Sequence, residues 1–174
     1  MGLAEGRISS LRFNFPYLEE GRRSPDRLPV LLEAWREALE EGRRRAGRAP
    51  VVAAGKSLGG RVASMLAAEQ GQAFGAAALV FFGYPLHPPG RPHQVRDAHL
   101  SLVQVPMLFI QGTEDRLARF DLVRSLVARV GMARLHPVPG ADHSFRVKGR
   151  RREDLEVGRE LGSIAATFIA GLAS

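Results

Sequence analysis

A chain of 174 residues, 45% apolar and 25% charged, has the length and composition of one soluble globular domain with a proper core. The lack of Cys excludes a disulfide framework, a thiolate nucleophile and a Cys-based metal site, and no apolar run is long enough to span a membrane. The formal charge is +7, but the basic runs at 43–48 and 146–152 have no interleaved aromatic residues to stack on bases, which argues against a nucleic-acid partner.

The first seven residues, Met-Gly-Leu-Ala-Glu-Gly-Arg, lack the apolar centre of a signal peptide, so a cytoplasmic location is expected. Residues 8–15 (Ile-Ser-Ser-Leu-Arg-Phe-Asn-Phe) alternate and stop at Pro16, which predicts a strand. After a polar, Arg-rich loop, Pro29 opens a predicted helix with Val30, Leu31, Ala34, Trp35, Ala38 and Leu39 on one face. That helix fades through Arg43–Arg45, where cations complement the dipole. Residues 50–54 form a short apolar strand of the buried parallel kind, and 58–69 a helix. Residues 76–82 form another buried strand. Residues 83–96, rich in Pro, have no period and read as a long loop. A strand at 105–111, a helix marked by Leu122, Val123, Leu126, Val127 and Val130, and a strand at 133–138 follow. A closing helix carries Leu161, Ile164, Ala165, Phe168, Ile169 and Leu172. The alternation predicts a single α/β domain over 1–174, with a parallel sheet of about five strands and helices on both faces. Function then belongs on the loops at the carboxyl ends of the strands: 14–27, the turn at Ser57, 83–96, 112–116 and 139–145.

Residues 55–59 read Gly-Lys-Ser-Leu-Gly between a strand and a helix. This is the Gly-x-Ser-x-Gly nucleophile elbow, in which a strained turn lifts the Ser57 hydroxyl clear of the sheet and Gly55 and Gly59 leave room for it. A phosphate-binding loop is excluded, because position 50 is Pro where that motif needs Gly. The elbow requires an acid and then a histidine on later loops. Asp115 follows the strand at 105–111, and His143 follows the strand at 133–138. His143 would take the Ser57 proton, Asp115 would orient the imidazole, and the Leu58 N–H would receive the oxyanion. Each has a plainer reading: Ser57 and Asp115 as helix caps, His143 as a satisfied loop histidine. Glu114 is the nearest substitute acid, and Asp142 is badly placed to orient its neighbour. His87 and His93 lie in the Pro-rich loop; His136 and Asp121 fall inside predicted elements. Scattered histidines give no metal signal, and no cofactor is implied.

Five stretches carry a family resemblance: Arg-Phe-Asn-Phe-Pro-Tyr at 12–17, Gly-Lys-Ser-Leu-Gly-Gly-Arg at 55–61, Phe-Phe-Gly-Tyr-Pro-Leu-His at 81–87, Gln-Gly-Thr-Glu-Asp at 111–115, and Gly-Ala-Asp-His-Ser-Phe at 140–145. Together they resemble the small, dienelactone-hydrolase-like bacterial α/β-hydrolases, akin to a family with eukaryotic members in a histone-acetyltransferase complex. The resemblance implies an α/β-hydrolase fold with Ser57, Asp115 and His143 as nucleophile, acid and base. It also implies a strand and Gly-rich loop ahead of the helix whose tail residues 1–6 resemble. That strand, which the sequence does not carry, would sit between residues 8–15 and the Ser57 strand and supply a second oxyanion N–H. The Asn14 amide is a candidate substitute. The expectation is a serine hydrolase (esterase, thioesterase or lactonase) forming an acyl-enzyme on a small ester-like substrate, with Asn14, Tyr17, Lys56 and Tyr84 lining the site. Arg22 and Arg23 are candidates for binding an acidic group. The alternatives are a catalytically impaired interaction protein of the same fold and, further off, a basic nucleic-acid-associated module. Oligomeric state is open, although an exposed strand edge would favour a homo-oligomer.

Overall fold

The computed structural model describes residues 2–172. The elements run α1 (Gly2–Glu5), α2 (Pro16–Glu19), α3 (Leu28–Ala46), β1 (Val52–Lys56), α4 (Leu58–Gln70), β2 (Ala78–Phe82), β3 (Met107–Gly112), α5 (Phe120–Arg129), β4 (Ala133–Val138) and α6 (Asp154–Ala170). Short 3₁₀ turns cover Gly71–Phe74 and Ala98–Leu102. The strands form one parallel sheet in the order β1-β2-β3-β4.

The apolar runs of β2 and β3 send alternate residues to opposite faces. Leu79, Phe81, Met107 and Phe109 join Leu31, Trp35 and Leu39 of α3, Val62 and Leu66 of α4, and Val123 and Leu126 of α5 in the larger core. Ala78, Val80, Leu108 and Ile110 face Leu161, Ala165 and Phe168 of α6 in the smaller one. Two buried faces explain why these strands read as continuous apolar runs rather than alternating ones. Pro137 is tolerated in β4 because that strand lies at an edge, where its missing N–H interrupts no ladder.

The expected strand at 8–15 does not form, and the sheet has four strands among the described residues, not five. A strand needs a neighbour for its backbone groups, and β1 pairs only with β2. The alternating aromatics of this segment serve a different contact. Phe13 packs edge-on against Trp35, ring centroids 4.9 Å apart, and Phe15 is buried in the same core. The segment therefore lies over α3 as irregular chain. The turn before it closes through Arg7, at φ 56°, with the Ile8 N–H donating to Leu3 O. Residues 8–15 and the Ser57 strand do not pair, and β1 is left as the second sheet edge.

The junction of β1 and α4 is where the site is built. A Cβ added to Gly55 would lie 2.3 Å from the Gly60 nitrogen, and one on Gly60 would lie 2.7 Å from Gly55 O. The close approach therefore uses Gly55 and Gly60; Gly59, expected to share it, has open space around its Cα. Above it, Trp35 Nε1–H donates to Gly59 O at 2.9 Å and ties α3 to the turn. Gly55→Ala should destabilise the protein by about 3 kcal/mol in chemical denaturation, because backbone and not a flexible side chain blocks the new methyl. Gly59→Ala should be neutral or stabilise by up to about 1 kcal/mol.

Candidate active site

Ser57 occupies the N-cap position of α4 but makes no capping bond. It sits at φ 51°, a strained conformation for a residue with a Cβ, and its N–H donates to Phe82 O at 3.1 Å. The turn is thereby pinned to the end of β2, and its hydroxyl faces His143, with Ser57 Oγ and His143 Nε2 2.8 Å apart. His143 Nδ1 lies 2.7 Å from Asp115 Oδ2. A carboxylate only accepts, so Nδ1 carries the proton and Nε2 is the acceptor for the Ser57 hydroxyl. The three residues picked from separate loops thus form one hydrogen-bonded series.

Asp115 is 4% exposed, and every contact it makes is directional. Its Oδ1 accepts from Leu117 N–H at 2.7 Å, and Oδ2 accepts from Gln111 Nε2 at 2.6 Å besides His143. Gln111, wholly buried at the end of β3, also accepts from Tyr84 N–H at 2.9 Å through Oε1. It fixes the acid and the loop after β2 with one amide. Sequence reading missed it, although a lone polar residue ending an all-apolar strand was the available signal. Gly83 and Gly112 provide clearance. A Cβ on Gly83, at φ +68°, would come within 3.2 Å of His143 O, and one on Gly112 within 2.3 Å of Ala141 O.

The remaining candidates divide. Leu58 begins α4, so its N–H lies in the first turn, where helix amides lack intrahelical acceptors and can face an oxyanion. Lys56, exposed at the end of β1, helps to line a cleft of about 320 Å³ with Ser144, Phe145, Arg146, Asp154 and Leu161. A smaller cleft of about 170 Å³ lies at the opposite end of β1, against Arg43 and Val51, remote from Ser57. Asn14 is exposed and its Nδ2 donates to Glu19 Oε1 at 2.7 Å, so its amide is already engaged. Tyr17 stacks on Phe15 and takes Asp26 Oδ2 on its N–H. No hydrogen bond joins Asn14 or Tyr17 to Ser57, His143 or Asp115. Arg22 is paired with Glu20 and Asp26, whereas Arg23 is exposed. Glu114 is exposed, and Asp142 accepts the N–H groups of Ser144 and Arg146, shaping the histidine loop without orienting the ring. His93 and His136 are exposed, and Asp121 pairs with Arg119. His87 is not solvent-exposed. Buried, it accepts from Arg119 N–H on Nε2 and therefore donates from Nδ1 to Pro88 O. No group of three or more metal-ligating side chains occurs among the described residues.

Tyr84 is buried against Phe81 and Phe109, and its hydroxyl does not line a cleft. It lies 3.2 Å from His99 Nε2 and 3.4 Å from Ser64 Oγ, and burial pushes its pKa up to about 12. Ser64 and His99, 2.9 Å apart, form a second serine–histidine contact. Ser64 is wholly buried inside α4 and its hydroxyl donates to Arg61 O at 2.7 Å, so no carbonyl can approach it. Its role is internal: it satisfies the polar ends of Tyr84 and His99.

The chain matches the alpha/beta hydrolase domain family over residues 1–170 and belongs to it. Among solved structures it is similar to an alpha-beta serine hydrolase homologue from Coxiella burnetii, at 24% identity and TM-score 0.64 over 88% of this chain and 67% of that one. Esterase 2 of Thermogutta terrifontis matches at 19% and 0.61 over 87% and 68%. A protein of unknown function from Agrobacterium tumefaciens matches at 20% and 0.71 over 97% and 74%. These likenesses show the fold; the chain spans about two thirds to three quarters of the length of these structures.

Burial, and next the nearby Arg61 charge, push the His99 pKa down to about 4, so the ring is neutral in the folded protein. The unfolded chain takes up this proton near pH 6.5 and the folded one does not, so stability is complete above that value and falls with pH towards 4. Discounted for partial exposure, the fall should be about 1–2 kcal/mol. Denaturation of the parent and of His99→Gln across pH 4–7 should show a shallower slope in the variant.

Proposed function

We propose that the protein is a serine hydrolase cleaving a small ester-type bond (ester, thioester or lactone) without a cofactor. The observation that carries this is the unbroken series Ser57 Oγ–His143 Nε2–Nδ1–Asp115 Oδ2, at 2.8 and 2.7 Å, starting from a serine held at positive φ. In this reading Ser57 Oγ attacks the substrate carbonyl while its proton passes to His143 Nε2. Asp115, held by Gln111 and Leu117, stabilises the imidazolium, and the Leu58 N–H receives the oxyanion. His143 then protonates the leaving group, and water, activated by the same imidazole, releases the acid. Membership of the hydrolase family supports the reading. So does the esterase among the structural neighbours, also described as phosphorylated by paraoxon. A dienelactone-hydrolase-like enzyme working in a bacterial cytoplasm is the finer form of the same proposal.

A second reading, an interaction protein of this fold with impaired chemistry, is favoured by one observation. With Asn14 tied to Glu19, Leu58 N–H is the one oxyanion donor identified among the described residues. Loss of one such donor costs ~10²–10³ in turnover. A fluorophosphonate probe separates the two. The hydrolase reading expects stoichiometric labelling, abolished in Ser57→Ala, and p-nitrophenyl acetate turnover reduced at least ~10³-fold in that variant. A folded parent that neither labels nor turns over would leave the interaction reading in its place.

A further inference from the structure

We propose that Gln111 is a positioning residue for the reaction: its one amide holds Asp115 towards His143 and sets the loop after β2 against the acid. This rests on the hydrolase reading and deepens it. Gln111 is wholly buried, and the preceding residues of β3, Met107, Leu108, Phe109 and Ile110, are all apolar and buried. A Met or Leu would fill the same space without the cost of taking an amide out of water. Packing therefore does not call for Gln at this position; its hydrogen bonds do.

Those bonds fix which way the amide faces. Tyr84 N–H can only donate, so the atom that receives it at 2.9 Å is Oε1. A carboxylate can only accept, so the atom 2.6 Å from Asp115 Oδ2 is Nε2. A flipped amide would lose both bonds at once. Asp115 Oδ2 has a second donor in His143 Nδ1 at 2.7 Å, while Oδ1 is taken by Leu117 N–H at 2.7 Å. With both oxygens held, the carboxylate keeps the plane that meets the imidazole. The same end of β3 sets the loop. Gly83 N–H donates to Ile110 O at 2.9 Å, Tyr84 N–H donates to Gln111, and a Cβ on Gly83 would stand 3.5 Å from His143 Nδ1. Acid, imidazole and loop thus share one reference point, and a shift of the loop reaches Asp115 through a single side chain. The titratable groups at this point are Asp115, which the amide touches, and His143 beyond it. The Tyr84 phenol turns away to Ser64 and His99.

Two substitutions test this in p-nitrophenyl acetate turnover from about pH 5 to about pH 9. Gln111→Met keeps the buried volume and removes both bonds. It should lower kcat at least about tenfold with KM nearly unchanged, in a protein still folded by circular dichroism. Gln111→Glu restores the bonding pattern only while the new carboxyl is protonated, when its O–H donates to Asp115 Oδ2 and its carbonyl oxygen accepts from Tyr84 N–H. Two carboxyl groups in contact hold one proton between them until the pH is well above the usual carboxylate range. The kcat of this variant relative to the parent should therefore be within about threefold at the acid end and fall at least about tenfold towards the alkaline end. A residue that only packs would give a ratio constant with pH. A kcat for folded Gln111→Met within about twofold of the parent, or a flat ratio for Gln111→Glu, would overturn the proposal. If the parent shows no turnover, the hydrolase reading fails and Gln111 is judged by proton NMR. The low-field resonance of His143 Nδ1–H should then shift or vanish in Gln111→Met, and an unchanged resonance would overturn the positioning role.

Discussion

The contact on which the site depends is backbone against backbone: the first turn of α4 seated on the last residues of β1 with no side chain between. Gly55 and Gly60 make it feasible, and it leaves Ser57 to turn the chain through a positive φ that a residue with a Cβ avoids. Such strain of roughly 1–3 kcal/mol persists only when the surroundings fix it. Here they do so from three directions. Phe82 O takes the Ser57 N–H, Trp35 takes hold of Gly59 O, and the buried faces of α4 are locked between α3 and the sheet.

The acid is held by a different logic. Among the described residues Asp115 pairs with no Lys or Arg, and its carboxylate is stabilised by three directed donors, from Gln111, Leu117 and His143. Gln111 joins this group to Tyr84 N–H, so the loop after β2 and the loop after β3 share one buried amide. The acid's loop and the loop after β2 therefore follow adjacent strands, joined by hydrogen bonds both in the ladder and above it, and the nucleophile follows β1 on the other side of β2. His143, on the loop after β4, fits into the space that Gly83 and Gly112 leave.

The sequence foretold most of this, because its strongest signals are local. The apolar runs of β2 and β3, the 3.6-residue period of α6 and the order of Ser57, Asp115 and His143 each follow from residues close together in the chain. The failures are non-local. Residues 8–15 alternate as a strand would, but alternation says nothing about whether a partner strand lies alongside, and the aromatics packed on Trp35 instead. Tyr84 looked like a site residue because it follows a strand; its ring turned inward because Phe81, Phe109 and a polar pair deep in α4 were there to receive it. Gln111 went unnoticed because one polar residue in an apolar strand reads as an exception until its two partners are in view.

The chain has a single tryptophan, and its indole N–H is spent on Gly59 O, two residues from the nucleophile. The only indole chromophore in the protein is thereby wired to the turn that carries Ser57. Its emission is an intrinsic optical gauge of that turn. A spectral change without loss of far-UV ellipticity would signal that the turn has loosened while the sheet and helices remain, and a covalent adduct on Ser57 would form within its sensing distance.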